Sequence, residues 1–236
     1  MRLLLLSNST MAGKPFLGWP KEYLKSFIGD APKKILFIPY AGVNVYWDGY
    51  TKKVADYFKE FGHKIIGIYN QNDHAKAINE ADIIMVGGGN TFHLVYHLQR
   101  NGLIPLIRQA VLDGKSFVGW SAGANVACPT LSTTNDMPII QPESFDTFNL
   151  VPFQINPHYL DANPDGHGGE TRADRINEFL EINRDKVVLG LREGTGLWIE
   201  DSNIKLIGDK TARIFQFVKE PEELDNNSIS EILILS

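Results

Sequence analysis

Cysteine is almost missing. Cys128 stands alone among 236 residues, so no internal disulfide can form and the chain suits a reducing compartment. Its place in an apolar stretch makes it a small buried residue rather than a reactive thiol. Long apolar runs are missing too: nothing approaches the ~18 consecutive apolar residues of a membrane span. The leucine run at residues 3–6 stops short of the ~7–15 residues of a signal core, so it reads as a buried strand. Positive charge is in deficit, with 23 Lys and Arg against 28 Asp and Glu. No basic cluster offsets that balance, which excludes the electrostatic footprint of a nucleic-acid binder. Internal repeats and low-complexity tracts are absent. What is left is a cytoplasmic globular chain, 43% hydrophobic, with enough apolar surface for one substantial core. A single α/β domain over residues 1–236 is expected, with neither membrane nor nucleic acid as partner.

What is present is a regular alternation. Short apolar, β-branched runs at 3–6, 35–38, 64–68, 83–86, 117–120 and 187–191 are separated by amphipathic segments. Runs that stay apolar throughout suit strands covered on both faces, as in a parallel sheet flanked by helices. Trp47, Tyr50, Val54, Tyr57, Phe58 and Phe61 recur at helical spacing and end at Gly62, a C-cap. Phe92, Val95 and Leu98 form a second such set, and Leu103, Ile107 and Val111 a third. Thr171 with Asp174 forms a capping box that opens a helix carrying Ile176, Phe179 and Leu180. From Gly196 onward the pattern changes to short strands at 197–199, 204–207, 213–218 and 229–235, joined by turns. These read as an antiparallel meander or edge addition. Residues 129–157 lack periodicity, and a loop of that length inside a compact domain points to function.

The most informative stretch is Phe117-Val118-Gly119-Trp120-Ser121-Ala122-Gly123-Ala124-Asn125. An apolar strand reaches Gly-x-Ser-x-Gly and passes into small, helix-compatible residues, the sequence form of a nucleophile elbow. Flanking glycines let the strand reverse sharply, and the serine is held beside a helix N-terminus whose N–H groups can stabilise an oxyanion. A serine hydroxyl needs a base. Among six histidines, His158 in Asn156-Pro157-His158 follows an apolar run and a backbone-restricting proline, which suits a side chain displayed at a strand end. His167, between two glycines, is the second choice. His63 and His74 lie beside helix ends. His93 and His97 have metal-compatible spacing, but no third ligand motif is near, so no metal is expected.

The base in turn needs an acid. Asp136, in Thr133-Thr134-Asn135-Asp136-Met137-Pro138, and Glu193, in Leu191-Arg192-Glu193-Gly194, are both candidates, and the choice stays open. Gly87-Gly88-Gly89-Asn90-Thr91-Phe92 is a glycine-rich strand-to-helix turn that fails the dinucleotide fingerprint, because Phe92 occupies the third glycine position. Its backbone suits another use: Gly88 or Gly89 could supply one oxyanion donor and Ala122 the other.

These motifs, together with the initial Leu-Leu-Leu-Leu-Ser-Asn-Ser-Thr, resemble the peptidase E family of cytoplasmic α-aspartyl dipeptidases from residue 1 to about 198. The resemblance implies a serine exopeptidase without a cofactor, on a flavodoxin-like sheet related to class I glutamine amidotransferases. Its substrates would be small peptides, Asp-X dipeptides, and it would act as a monomer or homodimer. By position Ser121 is the nucleophile and His158 the base, with Asp136 or Glu193 as the acid. Arg172 matches the family's candidate for the substrate's aspartate, since guanidinium pairs with carboxylate in bidentate fashion. Asn90 is a further candidate for substrate contact. Three rival readings are a cyanophycinase-like hydrolase of β-aspartyl peptides, an α/β-hydrolase esterase, and a non-catalytic small-molecule binder of the same fold.

Overall fold

The computed structural model describes residues 1–166, 168–226 and 228–229. In chain order its elements are β1 (Arg2–Leu6), α1 (Lys21–Ile28), β2 (Lys34–Ile38), α2 (Trp47–Lys59), β3 (Lys64–Gly67), α3 (His74–Glu80), β4 (Ile83–Val86), α4 (Thr91–Arg100), α5 (Leu103–Leu112), β5 (Ser116–Trp120) and the short α6 (Ala122–Asn125). There follow β6 (Gln154–Tyr159), α7 (Arg172–Ile182), β7 (Val187–Arg192), β8 (Thr195–Glu200), β9 (Asn203–Gly208), β10 (Ala212–Gln216) and β11 (Glu222–Leu224).

Seven strands form the main sheet in the order β3-β2-β4-β5-β1-β8-β9. The first five run parallel, and β8 and β9 are added antiparallel. Residues 3–6, all leucine, are fully buried, and successive side chains point to opposite faces. Leu3 and Leu5 therefore join the larger core beneath α3, α4 and α5, while Leu4 and Leu6 join the core beneath α1 and α2. That is why the run shows no polar alternation. Helix α2 ends as its pattern predicts: Gly62 takes φ 74°, a conformation that costs glycine nothing.

The expectation of one sheet needs correction. Residues 187–191 form a strand of a second, four-stranded sheet, β11-β10-β7-β6, rather than a sixth parallel strand of the main one. In it β6 and β7 are parallel, and β10 and β11 are antiparallel additions. One face of this small sheet, with Ile155, Leu189 and Ile214, completes the larger core. The other, with Tyr159, Val188 and Phe215, is covered by Ile176 and Leu180 of α7. An unbroken apolar run reports two covered faces, which both sheets provide. The predicted capping box is present at α7, with Thr171 and Asp174 exchanging backbone-to-side-chain hydrogen bonds. Of the run 229–235, everything beyond Ile229 lies outside the described residues.

Residues 129–157 are more ordered than their composition suggests. Leu131, Phe148 and Val151 are buried, and backbone bonds from Phe148 to Val126 and from Leu150 to Ala127 tie the segment to the chain just after α6. Cys128 is buried as well, its thiol pushed up by burial, and its Sγ accepts the N–H of Ile155 at 3.1 Å. No helix among the described residues is long and apolar enough to cross a membrane.

Candidate active site

Three neighbouring parallel strands, β4, β5 and β1, deliver their following residues to one edge of the main sheet. Ligands of open α/β sheets gather at this carboxyl edge. Gly88 and Gly89 follow β4, Ser121 follows β5, and Ser7 and Asn8 follow β1. Because β8 runs antiparallel to β1, with Leu6 opposite Gly196, its entry point also lies here. Glu193 is thereby brought to the edge from the other direction.

Ser121 sits at φ 54°, ψ −117°, backbone strain of about 1–3 kcal/mol that the surroundings must hold. The flanking glycines show why: a Cβ at Gly119 would overlap the Gly123 carbonyl, and one at Gly123 would overlap the Val86 carbonyl. Only at this closeness can β5 turn straight into α6. Residue 121 is pinned by its N–H to the Leu6 carbonyl at 3.0 Å, and its own carbonyl starts α6 by accepting from Ala124 and Asn125.

His158 reaches Ser121 through a second local distortion. The β6–β7 register shifts between Asn156 and Tyr159, and His158 takes φ 54°. A bulge of this kind re-aims a side chain. Its Nε2 lies 3.0 Å from Ser121 Oγ, and its Nδ1 lies 2.7 Å from Glu193 Oε1. A carboxylate only accepts, so Nδ1 carries the proton and Nε2 offers its lone pair to the serine hydroxyl. The imidazole and carboxylate are each a little over a third exposed, at 38% and 42%.

Asp136 does not partner His158. Its Oδ2 accepts instead from the Thr91 N–H (2.7 Å), the Thr91 hydroxyl (2.7 Å) and the Thr134 hydroxyl (3.0 Å). It acts as a charge at the N-terminus of α4, where anions are favoured, and fastens residues 133–137 beside the glycine turn. Asn135 continues this attachment by donating to the Pro157 carbonyl at 2.6 Å. His167 lies outside the described residues.

The glycine turn also divides its tasks. Gly88 cannot offer its N–H to a ligand, because that group donates to Tyr50 Oη at 3.0 Å. Its contribution is the absent side chain: a Cβ there would stand 2.9 Å from Ser121 Cβ. Among the described residues the N–H groups of Gly89 and Ala122 have no hydrogen-bond partner. Asn90 caps α4 by accepting from the His93 N–H at 3.0 Å and donates to the Met137 carbonyl at 2.9 Å, so both ends of its amide are engaged.

Arg172, the first residue of α7, lines a cavity of about 140 Å³ with Asp136, Asn156 and Arg175. Burial, then Arg175, draws its pKa down while Asp136 opposes them. No hydrogen-bonding or ion-pair partner engages its guanidinium among the described residues. His93 and His97 pair with each other, Nε2 to Nε2 at 3.3 Å, and His93 Nδ1 donates to the Tyr40 carbonyl at 2.6 Å. No group of three or more His, Cys, Asp and Glu that could hold a metal occurs among the described residues.

Sequence reasoning missed Ser7, Asn8 and Tyr50. The Ser7 hydroxyl accepts the His158 N–H at 2.9 Å and donates to the Leu191 carbonyl at 2.8 Å, and Asn8 Oδ1 accepts the Gly194 N–H at 2.9 Å. Together they tie the base and its acid to the end of β1. The available signal was two polar residues directly after a fully buried strand. Tyr50 Oη accepts from Gly88 and, at 2.9 Å, from the Trp120 indole. Burial, partly opposed by those two bonds, pushes its hydroxyl up to about 12, so it stays protonated.

Comparison with known proteins agrees with this architecture. The chain is 49% identical over 222 residues to peptidase E of a Nostoc species, covering 94% of this chain and 92% of the relative. It is 43% identical over 228 residues to peptidase E of Shigella flexneri, covering 95% and 98%. The crystal structure of a peptidase from an acI-B1 Actinobacterium superposes with a TM-score of 0.66 at 18% identity, covering 95% of this chain and 93% of that one, and shares the fold. The family model for peptidase family S51 matches residues 3–207, and the chain belongs to that family, the peptidases E.

Proposed function

We propose that the chain is a serine exopeptidase that hydrolyses dipeptides with an N-terminal aspartate through an acyl-enzyme. One observation carries the reading: the Ser121, His158 and Glu193 side chains form a continuous hydrogen-bonded relay at a strained elbow, beside two N–H groups that have no partner among the described residues. Ser121 Oγ attacks the scissile carbonyl carbon while His158 Nε2 takes the hydroxyl proton. Glu193 holds the imidazole in the required tautomer and stabilises the imidazolium. The Gly89 and Ala122 N–H groups receive the oxyanion, a contribution of about 3–4 kcal/mol per donor in comparable sites. His158 then gives its proton to the leaving amine, and the C–N bond breaks. Water, deprotonated by the same nitrogen, releases aspartate from the ester.

The substrate's aspartate side chain pairs with Arg172, whose guanidinium is partly buried and, among the described residues, unengaged. A neutral asparagine in its place leaves that charge without a partner, and discrimination of about 100-fold or more follows. The family resemblance supports this assignment, as do relatives that carry the peptidase E name. The test measures kcat/KM for Asp-Leu and Asn-Leu with wild type, Ser121→Ala and Arg172→Ala. Wild type is expected to favour Asp-Leu strongly, Ser121→Ala to be inactive and unlabelled by a serine-directed phosphonate, and Arg172→Ala to lose the preference. Equal turnover of both dipeptides by wild type would refute the substrate class.

A further inference from the structure

A second, larger cavity of about 620 Å³ is lined by the glycine turn, whose Gly88 adjoins Ser121. Gly88 and Gly89 line it together with Phe16 and Tyr50, which pack against the core under α1 and α2, and Tyr50 Oη stays bonded to the Gly88 N–H. The Arg172 cavity lies elsewhere, walled by Asn156 of β6 and by Ile176 and Phe179 of α7. If Arg172 receives the aspartate half of the dipeptide, as proposed above, the larger cavity is left for the other half.

Its chemistry is specific. Lys53 is the one charged residue lining it among the described residues. It has no ion-pair partner there, whereas its neighbour Lys52 is paired with Asp56 at 2.5 Å. Lys53 lies three positions after Tyr50 on α2, so both occupy one helical face. Its Nζ is held 4.2 Å from the centroid of the Phe16 ring, and Phe16 in turn meets Trp120 edge-on at 6.2 Å. An ammonium anchored by an aromatic face and lacking a carboxylate is a receptor for one. Around it Val43, Val45 and Ile139 leave 50%, 51% and 53% of their surface in water. Exposed apolar side chains gathered at one cavity mark a surface that a ligand covers.

We infer that this cavity binds the leaving residue of the dipeptide, that Lys53 recognises its terminal carboxylate, and that the apolar rim takes its side chain. The inference rests on the dipeptidase reading and deepens it. A dipeptide places a carboxylate at this position, whereas a longer peptide places a neutral amide there, so Lys53 sets the length of substrate accepted. The exposed Val43, Val45 and Ile139 favour a leucine over a glycine as leaving residue.

The test compares kcat/KM for Asp-Leu and Asp-Leu-amide in wild type, Lys53→Gln, Lys53→Glu and Lys53→Arg, with folding followed by circular dichroism. Wild type is expected to favour the free acid about tenfold, chiefly through KM, since a hydrogen bond to a charged group carries that much. Lys53→Gln brings the ratio near one, Lys53→Glu reverses it, and Lys53→Arg keeps most of it. A wild-type ratio of one overturns the inference, as does an equal loss on both substrates in Lys53→Gln. So does a Lys53→Gln enzyme whose Asp-Leu over Asn-Leu preference collapses, because Lys53 would then serve the first residue. The acid and amide are compared on whichever N-terminal residue wild type cleaves. Failure of the aspartate preference is thereby distinguished from failure of the role assigned to Lys53.

Discussion

Glu193 Oε1 stands 2.7 Å from His158 Nδ1, and the two residues stand at the same end of neighbouring parallel strands. His158 arrives on β6, and Glu193 lies in the turn between β7 and β8. Parallel pairing of β6 with β7 sets Tyr159 opposite Arg192, which puts the acid one step beyond its base's neighbour. The contact is therefore a consequence of sheet register.

Replacing Glu193 by Gln should lower kcat about 100-fold or more with little change in KM, because the amide no longer stabilises the imidazolium. Asp136→Asn should act differently, lowering stability by about 1 kcal/mol through the weakened cap on α4. Steady-state kinetics and thermal melts on both variants decide the matter. A larger kcat loss in Asp136→Asn, with its melting temperature intact, would return Asp136 to the histidine.

Ser7→Ala removes the acceptor of the His158 N–H and the donor to the Leu191 carbonyl in one change. The bond to the Leu191 carbonyl is buried and that from the His158 N–H partly so, and a loss of about 1–3 kcal/mol is expected in denaturant unfolding. The His158 ring should also lose its fixed aim, lowering kcat while KM holds. Unchanged kcat at reduced stability would show that Ser7 only joins the two sheets.

His97 carries a pH dependence. Burial first, then His93 and Arg100, lowers its pKa from 6.5 to about 4. The unfolded chain therefore binds a proton that the folded chain does not between those two values. The associated stability is present above the unfolded pKa and is lost as pH falls toward the folded one. The ring packs against Tyr40, Trp47 and Tyr96, which makes His97→Phe a fair isostere. The drop in melting temperature between about pH 7 and pH 5 should be smaller in His97→Phe than in wild type. Equal drops would assign the acid sensitivity to other groups.

Much of the fold was legible because burial on both faces leaves an unbroken apolar run, and each of residues 3–6, 35–38, 83–86 and 117–120 is such a run. What those runs do not encode is the identity of the neighbouring strand. Residues 187–191 look like the others, yet β7 pairs with β6 and β10 outside the main sheet. Likewise, Gly-x-Ser-x-Gly declares a sharp turn through local sterics. The aim of His158, by contrast, depends on a bulge that leaves no local signature.

The sequence by itself determined the alternation of strands and helices, the strained serine between two glycines, and the helix caps, because each depends on residues within one turn or strand of one another. The tertiary structure alone decided that His158 faces Glu193 while Asp136 turns to Thr91, that Tyr50 occupies the Gly88 N–H, and that Ser7 holds the histidine backbone. These contacts join residues from 35 to 151 positions apart. At such separations partners are chosen by strand order and register, which no short stretch of the chain records.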